Sequence, residues 1–300
     1  MNSPNFSLIV HGGAWDIPPA AVPDCRGGIC HALEAGRQVL ARGGAAMDAA
    51  EAAIIVLEDD VTFDAGTGAH LNRDGRVQLD AIIMDGTTLE AGAVAAVERV
   101  KNPIRLARKV LESSEHMMLV GAGAELFARE NGIALCDPSE LVIDRERVAW
   151  QSCRETNHAS EFHFGHKHGT VGAVARDTHG RIAAATSTGG TCCKFPGRVG
   201  DSPLIGCGCY ADAEAGGVSC TGHGEAIMKI VMAKMAADLL RNGSAPDAAV
   251  NECIQFLARR THATGGLILL DPAGRPAAAF NTPSMAYGYL QPSGEFFIAP

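Results

Sequence analysis

The stretch Gly169-Thr170-Val171-Gly172-Ala173-Val174-Ala175 decides how this chain is read. It is a strand of small apolar residues that opens on a threonine, directly after a polar, His-rich segment. A buried strand needs no hydroxyl at its start. A threonine freed there by cutting the bond before it would carry a hydroxyl nucleophile and an α-amine general base in one residue. That amine titrates at about 7.7 to 8.0 in short peptides, so it takes the hydroxyl proton near neutral pH without a His-Asp relay. Thr170 is therefore the candidate nucleophile, and Gly169/Thr170 the candidate cleavage site. A lone Gly-Thr pair is also an ordinary step into a strand, so the flanking sequence has to decide.

Upstream, the apolar run Ser7-Leu8-Ile9-Val10 enters His11-Gly12-Gly13, where two glycines permit a turn closed to other residues. Residues 45 to 57 are nearly all Ala, Ile, Val, Leu or Met and read as a helix buried on most sides. Three segments share one hairpin design, an Asp and a Gly between apolar runs: 70–77, 174–182 and 269–275. Helical periodicity covers about 103–113, 124–131, 225–241 and 246–260. Strands and helices in separate blocks predict antiparallel sheets covered by helices, an α+β fold read as a four-layer αββα sandwich. Residues 144–167 are polar and poor in aliphatics, and read as a linker that exposes the Gly169–Thr170 bond.

Two further threonines lie in glycine-flanked contexts, Thr186-Ser187-Thr188-Gly189-Gly190 and Cys220-Thr221-Gly222-His223-Gly224-Glu225. A loop-to-helix junction such as Thr221-Gly222 can supply oxyanion donors, worth roughly 3 to 4 kcal/mol each. Between them, Gly197-Arg198-Val199-Gly200-Asp201-Ser202-Pro203 presents a guanidinium and a carboxylate in one Gly/Pro loop. That pair suits an α-amino acid, with Arg198 on the α-carboxylate and Asp201 on the α-ammonium. The alternative is a surface ion pair between the two, worth little.

Taken in order with His11-Gly12-Gly13 and Met84-Asp85-Gly86, these segments resemble the plant-type asparaginase and isoaspartyl peptidase branch of the N-terminal nucleophile hydrolases. The resemblance runs over almost the whole chain, so residues 1–300 are expected to form a single domain of that type. It implies a precursor that cuts itself into an α chain 1–169 and a β chain 170–300, assembled as an (αβ)2 dimer. By motif position, Thr170 is implied as nucleophile, Thr188 as the residue orienting its hydroxyl, and Thr221 with Gly222 as oxyanion stabilisers. Arg198 and Asp201 are implied to grip an aspartyl group. The implied reaction is hydrolysis of β-aspartyl dipeptides and of the L-asparagine side-chain amide, through a β-aspartyl ester on Thr170. No organic cofactor is implied, and a structural sodium ion on carbonyls of about 57–68 is. The alternatives are a glycosylasparaginase and an unprocessed, non-catalytic member.

Two positions depart from that family's pattern. Phe63-Asp64-Ala65-Gly66 stands where members usually carry Phe-Asn-Ala-Gly, the Asn being implied to touch the nucleophile's amine. An ionised Asp64 there favours the ammonium form and moves the acidic limb of activity to higher pH. Cys192-Cys193-Lys194 stands where members often carry Asn before Lys.

Composition narrows the remaining classes. A net charge of −9 with scattered Lys and Arg gives no basic stripe for nucleic acid. No segment approaches 18 uncharged apolar residues and no leader pattern is read, so a cytoplasmic protein with a small-molecule substrate and no membrane partner is expected. The ten cysteines are spread through a long chain and read as reduced thiols. His158, His163, His166 and His168, with Cys192-Cys193 and Cys207/Cys209, lack the spacing of a specific zinc site, so no metal is assigned to them. The run Met117–Leu126 lacks the third glycine of a dinucleotide fingerprint and reads as a plain strand, turn and helix.

Overall fold

A computed structural model describes residues 5–156 and 169–300. The four histidines of the His-rich segment lie outside those residues. The order of elements begins β1 (Ser7–Trp15), α1 (Val22–Ala41), α2 (Ala46–Asp59), β2 (Leu79–Asp85), β3 (Ala91–Val97), α3 (Pro103–Ser113), β4 (Met118–Val120), α4 (Gly121–Glu130) and α5 (Asp144–Thr156). It continues with β5 (Val171–Arg176), β6 (Ile182–Thr188), β7 (Cys209–Asp212), β8 (Gly216–Gly222), α6 (Gly224–Ile230), α7 (Met232–Arg241) and α8 (Pro246–Thr261). Four strands close the chain: β9 (Gly265–Leu270), β10 (Pro276–Phe280), β11 (Ser284–Leu290) and β12 (Phe296–Ala299).

An eight-stranded sheet runs β12-β11-β1-β5-β6-β2-β3-β4 and a four-stranded sheet runs β10-β9-β8-β7. All named pairings are antiparallel except β3 with β4. The alternation of side chains in the large sheet sorts them into two apolar clusters. Leu8, Val10, Ala173, Ala185 and Ile83 face Ile29 and Leu33 of α1 and Ile54 of α2. Ile9, Val174, Ala184 and Ile82 turn the other way and meet Ile268 and Leu270 of β9 and Cys209 of β7. The far face of the small sheet, through Val218, Leu267 and Leu269, packs on Ala233 and Ala237 of α7 and Val250 and Leu257 of α8. With both faces covered, β5 (Val171–Ala175) and the first half of β6 (Ile182–Ala185) are apolar runs of small residues, and the buried hydroxyls of Thr186, Ser187 and Thr188 end β6. The result is a mixed α/β architecture. No helix among the described residues is long and apolar enough to cross a membrane.

The three hairpin segments each close on a side-chain oxygen. Asn72 Oδ1 accepts from the backbone N–H of Asp74 and Arg76, Asp177 Oδ1 from His179 and Arg181, and Asp271 Oδ1 from Arg275. Asn72 and Asp177 each make an Asx turn that mimics a backbone turn, whereas Asp271 Oδ1 accepts only the Arg275 N–H. Segment 70–77 closes on the single Leu71–Val77 bridge rather than on paired strands.

Two expectations need correction. Residues 144–156, read as linker, form α5, a polar helix that buries Glu146 and Cys153 and opens on Asp144 and Glu146 near its positive end. The helix expected over 225–241 is broken at Val231, whose left-handed backbone (φ 51°) separates α6 from α7. The 20-residue helix α1 had no counterpart in the sequence reading. Its glycines disguise it, yet Gly28 leaves room that a Cβ would take up, lying 2.4 Å from Phe63 Cε2 and 2.7 Å from an Asp60 carboxylate oxygen.

Candidate active site

The β5–β6 hairpin builds the site. Its register sets Val171 opposite Ser187, which carries Thr170, one residue before β5, to Thr188 at the end of β6. Thr170 is only 9% exposed, and its Oγ1 donates to Thr188 Oγ1 at 3.1 Å and lies 3.3 Å from Ser202 Oγ. Thr188 Oγ1 also accepts the Gly190 N–H at 2.9 Å, so the turn after β6 fixes it. Sequence reasoning had quoted Ser202 but given it no role. Its only signal was a hydroxyl beside Asp201.

The turn at His11-Gly12-Gly13 presses against Gly169. Gly13 adopts φ +103°, and a Cβ on it would collide with the Gly169 backbone, so two glycines are needed for this approach. Beneath them runs a buried polar string between the sheets. Gly13 N–H donates to His11 Nδ1 at 3.3 Å, His11 Nε2 lies 3.0 Å from Ser219 Oγ, Ser219 Oγ 2.7 Å from Thr186 Oγ1, and Thr186 Oγ1 donates to Gly208 O at 3.1 Å. Burial pushes the His11 imidazole down to about 3, so it is neutral.

Thr221 ends the buried part of β8, and its Oγ1 accepts the Ala14 N–H at 3.4 Å, tying it to the strand that carries the Gly13 turn. Gly222 follows at φ +130°, and α6 starts at Gly224. Thr221 and Gly222, expected in a loop before the helix, are the last two residues of β8, so the junction runs from strand to helix beside β1.

Arg198 and Asp201 converge, but not on each other. Arg198 forms a two-pronged pair with Glu225, Nε to Oε1 at 2.9 Å and Nη2 to Oε2 at 2.8 Å, and this pair holds the Glu225 carboxyl down at about 2. Sequence reasoning had placed Glu225 only as a helix residue. A Cβ on Gly224 would lie 2.9 Å from both Arg198 Nη2 and Asp201 Oδ1, so both charged groups border the space that this glycine leaves. Asp201 is buried, its Oδ2 has no hydrogen-bond partner among the described residues, and burial pushes its carboxyl up to about 7 against the pull of Arg198.

Asp64 lies behind the hydroxyls. Its backbone carbonyl accepts Gly189 N–H at 2.9 Å, and its Oδ1 accepts His70 N–H at 2.8 Å. Burial pushes it up to about 6, opposed by the charge of His70, whose Nδ1 is 2.6 Å from Glu146 Oε2. Lys194 Nζ donates to Gly189 O at 2.9 Å and Gln78 O at 2.7 Å, so the Gly189-Gly190 turn is gripped from both sides. Burial pushes the Cys193 thiol up to about 12 and Cys192 further, which leaves neither as a rival nucleophile at neutral pH.

Thr170, Thr188, Ser202, Thr221, Arg198 and Asp201 are thus gathered at the ends of β5, β6 and β8 and the loop after β6. The arrangement offers a hydroxyl held by two others, a neutral polar floor, and a buried carboxylate oxygen with nothing to bind.

Comparison with known proteins gives the same address. A family profile described as asparaginase matches residues 4–297. An isoaspartyl peptidase/L-asparaginase of Danio rerio is 41% identical over 285 residues, covering 95% of this chain and 92% of the relative. A plant-type L-asparaginase of Pyrococcus horikoshii is 44% identical over 300 residues, covering 95% and 96%, and the Homo sapiens isoaspartyl peptidase/L-asparaginase is 40% identical over 284 residues, covering 94% and 92%. From the match along nearly its whole length, this chain belongs to the asparaginase family.

Proposed function

We propose that the chain is a self-processing threonine hydrolase that cleaves β-aspartyl dipeptides and the side-chain amide of L-asparagine. The observation that carries this reading is the position of Thr170, preceded by Gly169, with its hydroxyl within hydrogen-bond reach of Thr188 and Ser202. Cutting the Gly169–Thr170 bond gives chains 1–169 and 170–300 and frees the amine that acts as base. Thr188 orients the hydroxyl, which attacks the β-carbonyl. Thr221 and the Gly222 backbone stabilise the oxyanion. Its collapse breaks the β-carbonyl C–N bond, and the Thr170 ammonium returns its proton to the leaving nitrogen. Ammonia or the second residue's free amine departs to leave the β-aspartyl ester on Thr170, which water then hydrolyses to aspartate. Asp201 supplies the buried anion for the substrate's ammonium, and Arg198, already oriented by Glu225, faces its α-carboxylate. Asp64 acts on the freed amine through its charge.

The helices, two sheets and three apolar clusters support reading the chain as one αββα four-layer sandwich of the N-terminal nucleophile hydrolase type. The cut chains are proposed to pair as (αβ)2 in the cytoplasm. No organic cofactor enters the reaction. A structural sodium ion on backbone carbonyls of about 57–68 is carried over from the family resemblance alone; the segment turns tightly at Gly66 (φ +53°) and Gly68 (φ +92°). Such an ion shapes the loop that carries Asp64 and takes no part in bond breaking.

The test is the intact mass of fresh protein under denaturing conditions beside Thr170→Ala, followed by assays on L-asparagine and a β-aspartyl dipeptide. Two fragments split at Gly169/Thr170 in the wild type, one whole chain in the variant and release of aspartate support the reading. A wild-type chain that stays whole after long incubation overturns it.

A further inference from the structure

The sequence spacing gave no metal site, but the fold brings together three sulfurs that spacing could not connect. Cys153, on α5, and Cys192 and Cys193, in the turn after β6, place their Sγ atoms all within 4.8 Å of one another. Three thiolates around one ion at about 2.3 Å would stand roughly 4 Å apart, so the observed spread needs only a small inward adjustment.

Two features distinguish this cluster from a chance meeting of core cysteines. Cys153 and Cys192 are 2% and 4% exposed, which shields an ion from competing water, while Cys193 is half-buried and leaves a way in. Cys193 also adopts φ +58°, a backbone that Gly or Asn takes more readily, and it is held there by its N–H donating to Leu71 O at 2.8 Å. Its Sγ reaches towards Trp150 O at 3.9 Å, next to a ring over which the Arg154 guanidinium stacks at 4.9 Å. That guanidinium adds positive charge beside what would be an anionic complex.

We propose that Cys153, Cys192 and Cys193 form a three-coordinate site for a soft, thiophilic divalent metal ion. Thiolate sulfur selects such ions over hard cations. The ion replaces three thiol protons, giving one metal–tris-thiolate of net charge −1 and three released protons, with no change of oxidation state. If the Gly169–Thr170 bond is cut as proposed above, Cys153 falls on one chain and Cys192 and Cys193 on the other, and the ion clasps the two. That consequence rests on the proposed cleavage; the binding does not.

The probe is Cd(II), titrated into full-length protein reduced beforehand and freed of reductant without air. Native mass and the near-ultraviolet thiolate-to-metal charge-transfer band are read together. One Cd(II) per chain with the band is expected. Cys193→Ser and Cys153→Ser should each weaken binding at least ~100-fold, while Cys207→Ser/Cys209→Ser leaves it unchanged. If Cys153→Ser fails to fold, Cys193→Ser alone decides. A missing band at equimolar Cd(II), a mass gain without the band, or unchanged binding in Cys193→Ser overturns the proposal.

Discussion

The loop carrying Asp64 and the loop carrying Asp201 both present a buried carboxylate with one oxygen unpartnered among the described residues, and they hold it differently. Asp64 is fixed from within. One oxygen takes the His70 N–H, and the charges around it are the buried His70–Glu146 pair and Lys194. Asp201 looks outward, across the gap left by Gly224, towards an arginine already satisfied by Glu225. Equal burial therefore supports unequal roles. On the proposed function, the Asp64 charge acts on the nucleophile's amine, whereas Asp201 faces the substrate's ammonium. Glu58 is a third such carboxyl, with Oε1 accepting Ser187 Oγ at 2.7 Å and Ile104 N–H at 3.1 Å and Oε2 unpartnered, and it serves as the internal control.

The sharpest break of this comparison is Asp201→Asn. Losing the buried partner of a substrate ammonium should cut kcat/KM on L-asparagine by about 100-fold or more, mostly through KM. Asp64→Asn should cost far less, and an equal loss in both would erase the distinction. Next is the pH profile of the wild type. Asp201 is pushed up to about 7, so it is neutral below that pH and ionised above it. Steady-state kinetics should show kcat/KM rising through about 7 as the carboxylate forms. Asp64→Asn should instead act on the Thr170 amine. Removing a charge that favours the ammonium form should move the acidic limb of kcat to lower pH by roughly half a unit to one unit. An unmoved limb would detach Asp64 from the amine.

The smallest expected effect is on stability. Glu58 is pushed up to about 8 from 4.5 by burial, so its folded value lies above its unfolded one. The stability it lends is complete below its unfolded value and drains away as pH rises towards 8. Glu58→Gln should flatten the fall in Tm between pH 5 and 9 and raise Tm at pH 9 by about 2 °C or more, measured by calorimetry.

Much of the site was legible because its chemistry sits in local motifs. Thr170, Thr188 and the Thr221-Gly222 junction could be found from a hydroxyl beside glycines at strand ends, and the hairpins from an Asp and a Gly between apolar runs. What escaped depends on contacts between distant segments. Arg198 reads as the grip on a substrate α-carboxylate, yet only the fold brings Glu225 within its reach. Cys153 gains meaning only when α5 meets the turn after β6. Helix α1 was hidden because Gly28 answers to Phe63 and Asp60 rather than to helix propensity.

The order of strands in the large sheet has a kinetic consequence. β1 lies between β11 and β5, and β2 pairs with β6, so segments from both sides of the Gly169–Thr170 bond alternate across one hydrogen-bonded sheet. An uncut chain finds this arrangement by a first-order search at a rate independent of concentration. A cut one, once unfolded, must do so as a second-order encounter of two pieces, each lacking half of its neighbours. Cleavage of that bond would thus make the fold a one-way product, durable while intact and slow to recover at dilution after it is lost.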